Sequence, residues 1–439
     1  MADISVIGAG LAGSEAAWQL ARRGLKVRLY EMKPEKMSPA HTSPLFAELV
    51  CSNSLRGDDL SNAVGLLKEE LRRLGSLIMM SAERHRVPAG GALAVDREAF
   101  AQTVTEAIRS HPNIELVEGE VTAFPEGEVI VATGPLTSEG LIPAIAACCP
   151  GDDFLHFFDA AAPLIQFDSI DMTKAWFGSR YNKGTADYIN CPLNQEEYEA
   201  FVQALASARE AEVHGFEDGG VFEGCMPVEV MARRGQDTLR YGPLKPVGLR
   251  HPETDEAYYA VAQLRRDNDE GTVYNLVGFQ THLTFPEQRR VFGMIPALKN
   301  AEYLRYGKMH RNTFINSPKL LDRYYRLRSD GRIAFAGQMT GVEGYVESCA
   351  SGMLAALEAA RRIQGLAPLD FPRTTAIGAL ALYVANGAAS GDFQPMNVNF
   401  GIIEGLGERI RGKREKNLKI ANRALAAIDD IVKREDFAP

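Results

Sequence analysis

The chain predicts an α/β fold: one α/β domain interrupted by an inserted α+β domain on a mixed sheet, with helices closing the C-terminal end. Three observations predict it. Residues 3–31 alternate strand, glycine-rich turn, helix and strand. Residues 332–363 return to that texture, with a short apolar strand, a turn and a helix rich in small residues. Between them, from about residue 151, aromatic and β-branched runs separated by turns replace the earlier pattern.

The elements follow in order. Asp3–Ile7 is a short apolar, β-branched run. Gly8-Ala9-Gly10-Leu11-Ala12-Gly13 comes next, then an alanine-rich helix to Arg23, stopped by Gly24. Lys26–Tyr30 is a second strand, and it ends on Glu31. Gly8 allows the tight turn, Gly10 lets the backbone approach a pyrophosphate, and Gly13 lets helix and strand pack closely. The phosphates then meet the helix N-terminus, and Glu31 accepts from ribose hydroxyls. This is a dinucleotide fingerprint in its structural context, so the domain reads as Rossmann-like. A glycine-rich turn that binds nothing is the plainer alternative.

Helical patterns are expected at 62–77 and 97–110, with strands at 114–117 and 129–132. The inserted domain, placed at 156–321, shows strand-like pieces at 162–167, 186–189, 258–264 and 273–278, and a helix near 195–212. The nucleotide domain is read as 1–155 and 322–439, ending in a helix from about 404 to 433.

FAD is favoured over NAD by two later segments. Val129–Ala132 is a buried strand ending in Thr133-Gly134. Arg332–Ala336 is another, running into Gly337-Gln338-Met339-Thr340-Gly341 and a helix at 343–363. Large two-domain flavoproteins of the glutathione-reductase type return to their first domain in this way. A helix start near Gly341–Gly344 would set positive partial charge against the flavin's pyrimidine edge. Close packing alone also explains small residues in that helix.

Composition sets bounds. With 439 residues, two or more domains with ample cores are expected. No apolar run reaches membrane-spanning length and the start reads as a strand rather than a signal peptide, so the cytoplasm is the expected location and no membrane partner is expected. Six cysteines in so long a chain form no disulfide framework, and none has zinc-finger spacing, so no metal is expected. A net charge of −9 argues against a generally basic nucleic-acid binder. Local basic groups exist at Arg233-Arg234, Arg265-Arg266, Arg289-Arg290 and Arg305 to Arg311. The densest comprises Arg409, Arg411, Lys413, Arg414, Lys416, Lys419 and Arg423. Each taken singly reads as a solvated face; together they suggest a polyanion.

Five segments together carry a resemblance: Ile7–Ala17, Glu31–Pro34, Phe46–Arg56 with Cys51, Phe222–Ala232 with Cys225, and Phe335–Tyr345. The chain resembles the folate- and FAD-dependent tRNA uracil-5-methyltransferases, from about residue 3 to 420. It is similar, more distantly, to the larger flavoproteins that modify the tRNA wobble uridine, but lacks their long C-terminal helical extension. The resemblance implies methylation of C5 of the T-loop uridine at position 54 of tRNA. It implies methylenetetrahydrofolate as carbon donor, reduced FAD as reductant, and NAD(P)H to re-reduce the flavin. No obligate protein partner is implied. Cys225 resembles the nucleophile that adds to C6, and Cys51 its partner, which takes the C5 proton or guards the flavin. Glu223 and Glu229 flank Cys225 and would raise its thiol pKa, so activation must come from a helix N-terminus or from Arg233 and Arg234.

His282, in Gly278–Thr284, is a candidate to stack on the folate pterin or relay a proton; a structural histidine is the plainer reading. Cys148, Cys149, Cys191 and Cys349 read as buried packing residues. The competing function is a flavin-dependent NAD(P)H or thiol oxidoreductase not acting on RNA. Such enzymes usually carry both thiols in one short motif, whereas Cys51 and Cys225 lie in different predicted domains. A third class is a non-catalytic FAD-bearing RNA-binding or adhesion protein.

Overall fold

The computed structural model describes residues 2–149, 154–182, 185–211, 220–221, 226–387, 393–434 and 436–437. Two large hydrophobic cores organise them. The first draws on residues 4–149 and 315–437, and the second on residues 165–301.

The first core surrounds a five-stranded parallel sheet. Its strand order is Ile333–Phe335, Glu128–Val131, Ile4–Ile7, Val27–Glu31, Ile114–Glu118. Ile4–Ile7 is central and buried throughout, as expected of a strand covered on both faces. Its register pairs Ile7 with Tyr30 on one side and with Val131 on the other. The helices Leu11–Arg22 and Tyr345–Ile363 pack together on the sheet. Their alanine, glycine and serine faces permit that close approach.

The second core lies against a six-stranded sheet, antiparallel throughout. Its order is Trp176–Gly178, Tyr188–Leu193, Ala260–Arg266, Val273–Leu276, Leu164–Gln166, Tyr303–Arg305. The mixed pairing expected of this region lies instead in a three-stranded sheet. There Phe154–Ala160 runs parallel to Gly220–Val221 and antiparallel to Met309–Ile315. A third small sheet joins Ser54–Gly57, Ala92–Val95 and Arg86–Val87.

Several boundaries differ from the sequence expectation. The helix expected over 62–77 is two helices, Ala63–Arg73 and Leu77–Arg84, broken at Gly75. The C-terminal helix begins at Lys413, not near 404. Gly407 and Gly412 stand at φ 72° and 95°, a left-handed backbone that keeps the preceding segment out of the helix. The helix at Gln195–Ala206 ends short of 212, and residues 212–219 lie outside those described. Phe285–Phe292 and Ala376–Asn386 are helices that the periodicity does not single out. Among the described residues, no helix is long and apolar enough to cross a membrane.

Candidate active site

The glycine-rich turn leaves the central strand and enters the helix Leu11–Arg22. Gly8 holds φ 96°, and a β-carbon there would lie 2.6 Å from the Ala132 carbonyl oxygen. A β-carbon on Gly13 would collide with the Gly8 carbonyl. One on Gly10 would meet nothing within 4 Å. Two glycines are therefore demanded by the protein's own backbone, and the middle one faces open space. That space is where a pyrophosphate would rest on the helix N-terminus.

Glu31 is buried at the end of its strand. Its carboxylate accepts from the Ala9 N–H at 2.7 Å and from the Lys33 N–H at 3.0 Å. The acid is thus aimed at the turn, where ribose hydroxyls would lie. A cleft of about 1150 Å³, counted to its open mouth, runs from this point. Gly8, Gly10, Leu11, Ala12, Glu31, Thr133, Gly134, Gly337 and Gln338 all line it. The three segments expected to hold the cofactor therefore converge on one cavity, and its shape and donors fit FAD. Ala9 serves through its N–H to Glu31. Thr340 and Gly341 shape the turn rather than line it. The Thr340 hydroxyl donates to the Gly337 carbonyl at 2.9 Å, and Gly341 stands at φ 82° against Phe393.

Tyr345, the first residue of its helix, lines the same cleft. Its hydroxyl oxygen accepts the N–H of Cys51 at 2.8 Å and that of Ser52 at 3.1 Å. The Cys51 sulfur lies 3.6 Å from the Ala160 carbonyl oxygen. Burial pushes the Tyr345 phenol far above its ordinary range, so it stays protonated. Arg97 donates to the Leu49 carbonyl at 2.6 Å, and to Asp267 at 2.8 and 2.9 Å. Burial alone would lower the Arg97 pKa, but Asp267 outweighs it and holds the guanidinium above its usual value. Arg265 reaches Ser52 Oγ at 2.8 Å and Asn53 Oδ1 at 3.1 Å. Asn53 in turn donates to the carbonyls of Val95 and Arg266. Behind the loop, buried Lys68 donates to the carbonyls of Leu55, Arg56 and Gly57, and burial pushes its pKa down to about 8. The cysteine loop is therefore fastened to both cores, beside the cleft.

The other thiols behave as packing residues. Burial pushes Cys148, Cys191 and Cys349 upward, away from thiolate chemistry. Cys149 is buried as well. Cys225 and Glu223 lie outside the described residues. The helix Val228–Arg233 follows them. Its Glu229 is buried and turned to Thr281 and His282, and Arg233 is taken up by Glu210 and the Ala206 carbonyl.

His282 is buried in the second core rather than lining the cleft. Its Nδ1 lies 2.6 Å from Glu229 and its Nε2 2.9 Å from Glu210. Burial opposes its charge, but the two carboxylates win and raise its pKa.

The basic groups divide. Arg409, Arg411, Lys413, Arg414, Lys416 and Lys419 are all exposed, at and just before the start of the C-terminal helix. Arg414 meets Asp59 at 2.9 Å, and Lys419 lies 3.7 Å from Glu408. Arg265 instead turns inward, to Ser52 of the Cys51 loop, and Arg305 has its Nε and Nη2 buried. Their sequence context groups both with surface patches. It assigns no role to Tyr345, Arg97 or Asp267. Tyr345 belongs to one of the five segments that carry the resemblance. Arg97 and Asp267 carry no local signal, because their pairing is set by tertiary contact.

The profile of the family described as glucose inhibited division protein A matches residues 3–367. A methylenetetrahydrofolate–tRNA-(uracil-5-)-methyltransferase of Acetivibrio thermocellus is 60% identical over 432 residues, covering 98% of this chain and 99% of that protein. The protein of the same description from Desulfitobacterium hafniense is 57% identical over 431 residues, covering 98% of each chain. GidA of Aquifex aeolicus, a solved structure, superposes with a TM-score of 0.70 at 15% identity, covering 99% of this chain and 75% of that one, which bears on the fold alone. With more than half of its residues shared along nearly its whole length, and with the cleft and cysteine loop in place, the chain belongs to the folate- and FAD-dependent tRNA uracil-5-methyltransferase family.

Proposed function

We propose that the protein methylates C5 of the T-loop uridine at position 54 of tRNA, drawing the carbon from methylenetetrahydrofolate. FAD held in the cleft supplies the reducing electrons, with NAD(P)H as the source that replenishes them. Residues 1–155 and 322–439 would hold the flavin, and residues 156–321 the substrate.

C5 of uracil is a weak nucleophile. In the proposed sequence the Cys225 thiolate forms a bond to C6, and the electron pair of the C5–C6 double bond moves into an enolate. C5 then forms a bond to the methylene carbon as that carbon's bond to its carrier nitrogen breaks and the nitrogen keeps the electron pair; bound FAD in its reduced form would supply the hydride that takes the methylene to methyl. Cys51 removes the proton from C5, and the C6–sulfur bond breaks to restore the ring. Tyr345 and Arg97 hold the Cys51 loop at the cleft for that transfer. His282 is the proposed folate contact.

The observation that carries this reading is the bond from Cys51 to Tyr345, which ties a candidate reactive thiol to a residue lining the nucleotide cleft. The test incubates purified protein with unmodified tRNA, methylenetetrahydrofolate carrying a labelled methylene, and NAD(P)H. Label at C5 of uridine 54 is expected. Flavin turnover with no label in tRNA would favour the oxidoreductase reading.

A further inference from the structure

Three aromatic rings stand in a row on the inserted domain. Tyr303 begins the edge strand of the six-stranded sheet, where the register pairs it with Ile165. Its ring lies on that of Tyr306, with 5.1 Å between centroids and 12° between planes. Tyr306 in turn lies on Phe285, at 4.8 Å and 14°. The row is held from behind. Gln288, on the helix that Phe285 begins, donates to the Gly307 carbonyl and accepts from the Gly307 N–H, both at 2.8 Å. Gly307 is itself wedged, since a β-carbon there would lie 2.5 Å from the Thr281 side chain. The helix and the turn that carries Tyr306 are therefore fastened to each other, and the spacing of the rings is set before anything binds.

The row is open at one end. Tyr303 and Tyr306 are partly buried, whereas Phe285 is 51% exposed. Tyr306 takes one face of Phe285, so the other face meets solvent. A lone exposed phenylalanine is ordinary. One stacked on two anchored rings offers a flat π face of defined orientation. The charge beside it suits an anion. Arg289 lies one helical turn after Phe285 and is exposed. Its neighbour Arg290 is paired with Glu287 at 2.6 Å. The exposed acid Glu302 is joined to Tyr303, at the far end of the row. Two residues beyond Tyr306, the exposed Lys308 donates to the Pro39 carbonyl at 3.4 Å. The turn that carries Tyr306 thus reaches the nucleotide domain next to Ser38, which lines the cleft.

A duplex keeps its bases stacked on one another, whereas an unpaired base can be splayed out and laid on an aromatic ring. Every base has a π face, so such a platform binds without reading sequence. We propose that Phe285 receives one unpaired base of the RNA substrate as a fourth ring of the row, with Arg289 meeting the phosphate beside it. The inference rests on the reading of this protein as one that acts on tRNA, but its test measures binding and not methyl transfer. Absent methylation with binding that depends on Phe285 would strike the function and leave the platform standing.

The experiment titrates the FAD-loaded protein with unmodified tRNA and with a blunt RNA duplex of the same nucleotide count, each at several salt concentrations. Phe285→Leu keeps apolar bulk and removes the ring. It should weaken tRNA binding at least about fivefold, with the salt slope and the affinity for duplex as in wild type. Phe285→Tyr should bind tRNA as wild type does. Arg289→Gln should weaken tRNA binding and flatten the log–log salt slope by about 0.7. Wild-type tRNA affinity in Phe285→Leu, or an equal loss on tRNA and duplex, overturns the proposal. Wild-type affinity together with altered sedimentation would assign the ring to a contact between copies of the chain. If Phe285→Leu does not fold, Phe285→Trp decides: its added emission must be quenched by tRNA and not by duplex. Failure of the wild-type protein to bind tRNA would overturn both this proposal and the function on which it rests.

Discussion

Arg97 and Asp267 join the two cores through a two-armed contact, Nε to Oδ1 at 2.8 Å and Nη2 to Oδ2 at 2.9 Å. Arg97 opens a helix of the nucleotide domain, and Asp267 follows the longest strand of the antiparallel sheet. Both side chains are largely buried. Truncating one member of such a pair strands the other charge, which typically costs about 3–5 kcal/mol. Asp267→Asn should therefore destabilise the protein by roughly 3 kcal/mol in denaturant titration. A loss below about 0.5 kcal/mol, the range of a neutral surface change, would show that the contact joins nothing of consequence.

The two glycines of the turn make opposite predictions. At Gly10 the backbone is extended, with φ −71° and ψ −168°, and a β-carbon meets open space. Gly10→Ala should leave the FAD-free protein as stable as the wild type, yet weaken FAD affinity at least about tenfold by occupying the pyrophosphate's place. Gly13→Ala should harm both, because its β-carbon strikes the Gly8 carbonyl. Flavin absorbance after purification and thermal unfolding separate the two. Wild-type FAD retention by Gly10→Ala would contradict the pyrophosphate assignment.

Cys225→Ala should reduce methyl transfer to the background rate while the protein still purifies yellow. Without a nucleophile at C6 there is no enolate, and saturating tRNA cannot compensate. Substantial residual methylation would remove Cys225 from this role.

The cations that begin the C-terminal helix sit at its positive end. Lys413, Arg414 and Lys416 oppose the helix dipole, at a cost of about 0.3–1 kcal/mol each. Replacing all three by Glu should therefore raise helix stability slightly, even though the ion pair between Arg414 and Asp59 is removed. Affinity for tRNA should nonetheless fall, and each phosphate contact removed should flatten the log–log salt slope by about 0.7–0.9. An unchanged affinity and slope would make this a solvated face, and would move attention to Arg289 and Arg290.

His282 gives a pH signature. Glu229 and Glu210 raise its pKa in the folded protein above 6.5, against the opposing effect of burial. Its stabilising contribution is thus fully present below pH 6.5 and is lost as pH rises through the higher folded value. The melting-temperature advantage of wild type over His282→Gln should be greatest near pH 6 and shrink toward pH 9. An advantage that grows with pH would mean the imidazole is held neutral.

The nucleotide half was legible because its signals are local. Gly8, Gly10, Gly13 and Glu31 fall within one β-α-β unit; Gly8, Gly13 and Glu31 are each fixed by backbone conformation, close approach or hydrogen bonding, and Gly10 leaves open the space beside them. The antiparallel order of the second sheet was not legible, since Leu164–Gln166 pairs with strands more than a hundred residues downstream. The same holds at the site. Cys51 stood out by residue type, whereas Arg97 and Asp267 acquire meaning only from the fold. Arg265 misled because a double arginine reads as surface, yet only tertiary contact shows that its guanidinium points inward.

The Cys51 loop is mounted by main-chain groups. The N–H groups of residues 51 and 52 reach Tyr345, and the carbonyls of Leu49 and Val50 receive Arg97. These bonds would exist with any side chain at 51. Place and reactivity are consequently encoded by different residues: the neighbours locate the 51st Cβ, and the atom attached to it sets the chemistry. A serine or a selenocysteine installed there would inherit the same coordinates, which makes this position a socket into which nucleophiles of graded acidity can be exchanged without rebuilding the wall behind them.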